Sequence, residues 1–184
     1  IDSELADRLA AIHEEHFGDV EAARPYLERV FAKAPDNDRV FERLRQILSA
    51  LGEWNVLLAL FERAAESAAD PDVRIERYSD AALVAEEIAE DPERAIALHE
   101  KALVGAPNHE PSLIALEKLY TRMEQWDRLG AVLDRRLSAA IGDDAPQLRR
   151  KLGLLRLRAL KDARGALPLL ALVLEDSPDD QEVL

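Results

Sequence analysis

The stretch DVEAARPYLERVFAKAP at residues 19–35 returns as DPERAIALHEKALVGAP at 91–107 and as DARGALPLLALVLEDSP at 162–178. The first step is 72 residues (91 − 19) and the second is 71 (162 − 91). Every copy opens on an acid, has Ala at its fifth position and closes on Pro. Between those points apolar residues recur three and four apart, the period of a helix with one buried face. The opening carboxylate can accept the orphan amide hydrogens of the first turn and complement the helix dipole. The closing Pro cannot continue a helix. Each stretch therefore reads as one capped, amphipathic helix, repeated.

Outside these copies the 72-residue shift also carries Leu44 onto Leu116, Trp54 onto Trp126, and Ala59 and Arg63 onto Ala131 and Arg135. A second, weaker rhythm divides each block in two. Landmark residues of the second helices fall at Ala23, Leu57, Ala95, Leu129 and Ala166, at spacings of 34, 38, 34 and 37. Short polar turns precede them: Phe17-Gly18-Asp19, Leu51-Gly52-Glu53, Glu90-Asp91-Pro92, Glu124-Gln125-Trp126 and Lys161-Asp162-Ala163. Asp19, Asp91 and Asp162 are predicted N-caps, and Pro35, Pro71, Pro107 and Pro178 punctuate the helix exits. Pro25 and Pro168 fall early in second helices, where a missing amide hydrogen costs little. The pattern predicts five helical hairpins at about 2–35, 36–70, 71–107, 108–142 and 143–178, in a single array with 179–184 starting a next helix.

Composition agrees. Ala and Leu each occur 30 times in 184 residues, whereas Val, Ile and Thr together reach 19, which favours helix and leaves little for a sheet. Apolar residues make up 48%, enough for a core. Cysteine is absent, which excludes disulfides, thiolate metal sites and a Cys nucleophile, and suits compartments inside or outside the cytosol. The net charge of −13 argues against general binding to nucleic acid or anionic membranes. No apolar run is long enough to span a bilayer. The chain begins Ile1-Asp2 and stops in what reads as a helix, so it is expected to be a piece of a longer protein.

A helix-turn-helix unit of about 34 residues with an acidic turn, a small residue, an aromatic or Leu, a second small residue and Pro resembles the tetratricopeptide repeat (TPR). The residues that carry it are Gly18-Asp19, Ala23, Tyr26, Leu27, Val30 and Pro35 in the first unit. Then come Phe41, Leu44, Gly52, Leu57, Phe61 and Ala64; Asp91, Ala95, Leu98, Ala102 and Pro107; Leu113, Leu116, Tyr120 and Leu133; and Gly153, Asp162, Ala166, Leu170, Val173 and Pro178. Arg136 stands where a small residue is usual. The first helices of units one, three and five read as lacking the aromatic and small-residue signature, so the array looks built from two-hairpin blocks. The resemblance implies an all-α, right-handed solenoid whose concave surface is lined by the first helices.

Functional motifs are few. There is no phosphate-binding glycine loop, nucleophile elbow or dinucleotide fingerprint, so no catalytic residue, cofactor or metal is expected. His13-Glu14-Glu15-His16 could share a helix face, but three-residue spacing differs from the four of zincins, and a polar helix face explains it as well. Trp54 and Trp126, at equivalent places, read as packing residues before partner anchors. Charge is uneven: residues 145–170 hold Arg149, Arg150, Lys151, Arg156, Arg158, Lys161 and Arg164 against Asp162 alone.

Family geometry places Arg8, Ile12, Glu15, Arg39, Glu42, Gln46 and Ser49 on the concave lining, then Arg77, Asp80, Val84 and Glu87. Ile114, Lys118, Thr121, Arg122, Lys151, Leu155 and Arg158 complete it. Lys118, Arg122, Lys151 and Arg158 are the candidate partner-binding residues, expected to receive acidic side chains or a carboxylate of an extended protein or peptide. The competing reading is a solvated face, or a face docked against a following repeat outside these residues. The expected function is a non-catalytic protein–protein interaction or scaffolding segment of a larger repeat protein. The alternative is a regulatory or substrate-recruiting arm of an enzyme whose catalytic domain lies elsewhere. RNA reading by helical repeats fits poorly with the acidic charge and nine aromatic residues.

Overall fold

A computed structural model describes residues 3–17, 20–142 and 144–183, without the side chains of residues 3, 14–17 and 20. All its regular structure is α-helix. The helices are α1 (Ser3–Phe17), α2 (Val20–Lys33), α3 (Asp38–Leu51), α4 (Trp54–Ser67), α5 (Pro71–Glu87), α6 (Pro92–Gly105), α7 (Glu110–Arg122), α8 (Trp126–Ala139), α9 (Asp144–Arg158) and α10 (Ala163–Asp176). The expected all-α repeat fold of helical hairpins is therefore present. Two compact units divide the chain, Ile1–Ala106 and Pro107–Leu184. The first holds α1 to α6 and the second α7 to α10.

The turns inside the hairpins explain the repeat. Left-handed backbone (positive φ) falls at Gly52, Glu90, Glu124 and Lys161, at the 38-, 34- and 37-residue spacings of the sequence. In the second hairpin the Glu53 amide donates to Leu48 O and the Trp54 amide to Gly52 O. Seventy-two residues later Gln125 and Trp126 do the same to Tyr120 O and Glu124 O. The third and fifth hairpins share a different turn, in which Asp91 donates to Ala85 O and Asp162 to Arg156 O, 71 residues apart. Helix starts follow the turn type. Asp91 and Asp162 cap their helices by accepting from the amides of Arg94 and Gly165, whereas Glu53 and Gln125 make no side-chain cap. The predicted cap at Asp19, with Gly18, lies outside the described residues.

Packing alternates in the same way. Eight residues before the turn position the first helices of the third and fifth hairpins carry Ala82 and Gly153, and the corresponding residue of α1 is Ala10; all three are buried. In the even hairpins that position is Leu44 or Leu116, buried at full size. Small residues let the paired helices approach closely in the odd hairpins, and α1–α2, α5–α6 and α9–α10 are the closely apposed pairs of their hairpins. The small-residue signature read as missing from units one, three and five is thus present at Ala10, Ala82 and Gly153. Of the three, α5 does carry a buried aromatic, Tyr78, four residues before Ala82.

In the first unit Phe41 of α3 and Phe61 of α4 meet edge to face at 5.2 Å between centroids, within a core of Leu44, Leu48, Leu57 and Leu58. In the second, Leu113, Leu116 and Leu119 of α7 are buried, as are Leu133 of α8 and Leu152 of α9. Burying each such side chain contributes about 1.5–3 kcal/mol relative to leaving it in water.

Candidate functional site

The second unit contains all four candidate partner-binding residues. Lys118 and Arg122 lie one turn apart on α7, and Lys151 and Arg158 two turns apart on α9, so each pair shares a helix face. All four are exposed. Lys151 Nζ lies 2.7 Å from Glu117 Oε1, which ties the face of α9 to that of α7. Glu117 also takes Arg136 of α8, and Arg136 in turn donates to Glu110 at 2.7 Å. Burial works against the Arg136 charge, but Glu110 and Glu117 outweigh it and raise its pKa. Arg136 thus fills the place of a small residue by carrying its own counter-ions. Glu117 is a carboxylate only 14% exposed between two cations.

The basic stretch 145–170 does not form one uncompensated patch. Arg156 turns back to α8 and forks onto both Asp134 oxygens at 2.7 Å. Arg150 bonds Asp180 at 2.7 Å and also Glu182. Arg158 donates to the Glu182 carbonyl at 2.8 Å and lies 3.4 Å from its carboxylate. Arg149 faces Asp176 at 3.7 Å. The segment after α10 therefore lays acids along α9. Hydrogen bonding from Arg150 lowers the Asp180 pKa. Sequence reasoning identified the cations and missed Glu117, Asp134, Asp180 and Glu182, because each partner lies 22 to 34 residues from its cation.

Other expected lining residues are placed as follows. Arg77 donates to Asp38 at 2.6 Å and lies over the Phe41 ring at 3.5 Å, so it is spent on packing α5 to α3. Asp80 is raised in pKa, by burial first and then by Glu76. Arg8 pairs with Glu4 one turn back. Leu155 points at α8: a Cβ on Gly130 would meet it at 3.8 Å. Ile12 and Ile114 are exposed, and the Glu15 side chain lies outside the described residues.

His13 stacks on Tyr26 at 5.6 Å, and the side chains of Glu14, Glu15 and His16 lie outside the described residues. Among the described residues no group of three His, Asp or Glu side chains is arranged to hold a metal, and no helix is long and apolar enough to cross a membrane. Trp54 and Trp126 are half-buried at the first position of their helices. Trp54 covers Gly52, while Trp126 lines an open cleft of about 520 Å³ with Arg128, Ala159 and Leu160.

Comparison with known proteins agrees with this architecture. A family model described as a tetratricopeptide repeat matches residues 112–147, the segment of α7, α8 and the start of α9. No curated protein matches the sequence. Among solved structures the chain is similar to Naa15/Naa10 bound to HypK-THB, at 16% identity and a TM-score of 0.60, over 95% of this chain and 25% of that one. It is also similar to a thermophilic TPR protein of Thermus thermophilus, TTC0263, at 22% identity and a TM-score of 0.36, over 99% and 95% of the two chains. A tetratricopeptide repeat protein from Parabacteroides merdae matches at 17% identity and a TM-score of 0.48, over 98% and 69%. This chain spans a quarter of the length of the Naa15/Naa10 relative it matches. At these identities the likeness is one of fold alone.

Proposed function

From the tetratricopeptide-repeat match over residues 112–147 and the all-helical repeat fold, we propose that the chain is a TPR-like, non-catalytic protein–protein interaction or scaffolding segment of a larger repeat protein. Repeat folds of this kind mediate protein–protein interactions by exposing a long surface of stacked helices. The partner on this reading is a protein or extended peptide that carries acidic side chains. It lies along the first helices α7 and α9 and gives its carboxylates to Lys118, Arg122, Lys151 and Arg158.

The observation that supports the proposal is the Lys151–Glu117 pair, which joins α9 to α7 at the residue next to Lys118. The Glu117 carboxylate on Lys151 at 2.7 Å and the Glu182 carboxylate 3.4 Å from Arg158 are examples of the chemistry a partner would bring. Charge-assisted hydrogen bonds to carboxylates are stronger than neutral ones and favour Arg at such positions. A peptide array probed with the 184-residue chain tests this. Acidic peptides should be retained, and a Lys151→Glu plus Arg158→Glu variant should lose them; undiminished capture by the variant would overturn the assignment. Turnover by the isolated chain would contradict the non-catalytic reading.

A further inference from the structure

The junction of α4 with α6 in the first unit has a counterpart in the junction of α8 with α10 in the second, and the two are closed differently. In the first, Arg94 of α6 reaches back to α4, where it donates to Glu62 at 3.0 Å and to Asn55 Oδ1 at 3.4 Å. One guanidinium thus spans two turns of α4. In the second unit the same three positions hold Gly165, Asp134 and Asp127. The glycine has no side chain to send across. Arg156 of α9 takes Asp134 instead, on both oxygens at 2.7 Å. Asp127 is exposed, and no cation among the described residues pairs with it. A carboxylate therefore stands where the first unit has an amide that already faces an arginine.

The space beside Asp127 is open. It belongs to the cleft of about 520 Å³ that Trp126, Glu124, Ala159 and Leu160 line together with Asp127. Ala159 stands where the third hairpin has Ile88, 71 residues earlier, which removes most of a side chain from the wall. Arg128 also borders the cleft, but its guanidinium lies over the Tyr120 ring at 5.9 Å. The walls thus offer a half-buried indole, two apolar side chains and two carboxylates. A guanidinium suits that set better than an ammonium. It is planar and weakly hydrated, stacks on an aromatic face, and forks onto a carboxylate in the same pose.

We propose that this cleft receives an arginine side chain of a protein partner, with the guanidinium held between the Trp126 indole and the Asp127 carboxylate and Glu124 adding negative charge at the mouth. Arg94 is the internal precedent, since it supplies the same cation to the matching place in the first unit. The site uses none of Lys118, Arg122, Lys151 and Arg158, so it stands apart from the acidic-partner surface of α7 and α9.

The two indole N–H signals of the isotope-labelled 184-residue chain test the proposal by nuclear magnetic resonance, with Trp54→Phe to assign them. Titration with Nα-acetyl-arginine methylamide should shift the Trp126 signal saturably in the millimolar range and leave that of Trp54 in place. The lysine analogue should bind about threefold more weakly or worse, and the neutral norleucine analogue should give no saturable shift. Asp127→Asn, which installs the residue found at position 55, should weaken the arginine probe by about threefold or more. Ala159→Ile, which restores the wall of the third hairpin, should weaken it as well and gives a second reading that leaves every charge in place. No saturable shift at Trp126 overturns the proposal, and so does undiminished binding in both variants. Equal binding of the norleucine analogue would mean an apolar cleft without cation recognition. Tighter binding of free L-arginine than of the blocked form would mean a small-molecule site, and would overturn the assignment to a protein partner.

Discussion

Gly153 of α9 and Leu170 of α10 are packed so closely that a Cβ on the glycine would lie 2.5 Å from Leu170 Cδ2 and 2.8 Å from its Cγ. Gly153 is helical and has no positive φ, so its glycine is required by space alone. Replacing it by Ala gains roughly 1 kcal/mol of helix propensity. The overlap with Leu170, a buried residue, opposes that with about 1–3 kcal/mol of overpacking strain. Gly153→Ala should therefore lower the urea midpoint of the chain. Adding Leu170→Ala should show favourable coupling in a double-mutant cycle, since the second change removes the atoms the new methyl meets.

The left-handed turn positions give a prediction of opposite sign. Glu90, Glu124 and Lys161 sit at φ of 53°, 54° and 56°, a conformation that costs an L-residue about 1–2 kcal/mol. Changing Glu124 to Gly should raise the thermal midpoint, with part of the gain lost to the freer unfolded glycine. Gly52 occupies the same place at 69°, so Gly52→Ala should lower the midpoint.

Capping separates the two hairpin types. Asp91→Ala and Asp162→Ala each remove a side-chain acceptor from a helix start and should cost about 1 kcal/mol by chemical denaturation. Gln125→Ala, at the matching place before α8, removes no cap bond and should be close to neutral.

Acid should act on Glu62 and Asp80 in opposite directions. Burial pushes Glu62 up, but hydrogen bonds from Lys101 and Arg94 outweigh it and hold its carboxyl below the ordinary range. Its contribution is present above the unfolded pKa and fades as pH falls through the lower folded one. Asp80, raised by burial and Glu76, binds its proton more tightly when folded, so protonation favours the folded state. Stability curves against pH should flatten on the acid side in Glu62→Gln. Asp80→Asn should stabilise the chain near neutrality and remove that pH dependence.

Much of this architecture was legible because one residue type marks each hinge of the pattern. Asp91 and Asp162 with Pro107 and Pro178 bound their helices, and Trp54 and Trp126 fixed the 72-residue register. The small residues Ala10, Ala82 and Gly153 were harder to read, since small side chains are common in an Ala-rich chain and only the close approach of the partner helix gives them meaning. The four cations of the candidate site could be found from helical spacing. Their counter-ions could not, because pairing Lys151 with Glu117 needs two hairpins stacked, and pairing Arg158 with Glu182 needs the segment after α10 laid along α9. Leu155 was misplaced for a related reason: helix period alone does not say which neighbour a face meets.

The most direct test of the acidic-partner surface uses one fluorescent acidic peptide retained by the chain, titrated at fixed salt and followed by anisotropy. Glu182→Gln removes the carboxylate charge 3.4 Å from Arg158 while the bond to the residue-182 carbonyl stays, and should tighten binding modestly, while Lys151→Glu with Arg158→Glu should abolish it. Arg29→Glu with Arg135→Glu, which changes total charge equally on second helices, should leave most of the affinity in place. Equal loss in both charge-reversal variants would mean that the peptide follows net charge and not the α7–α9 surface, and would contradict the account.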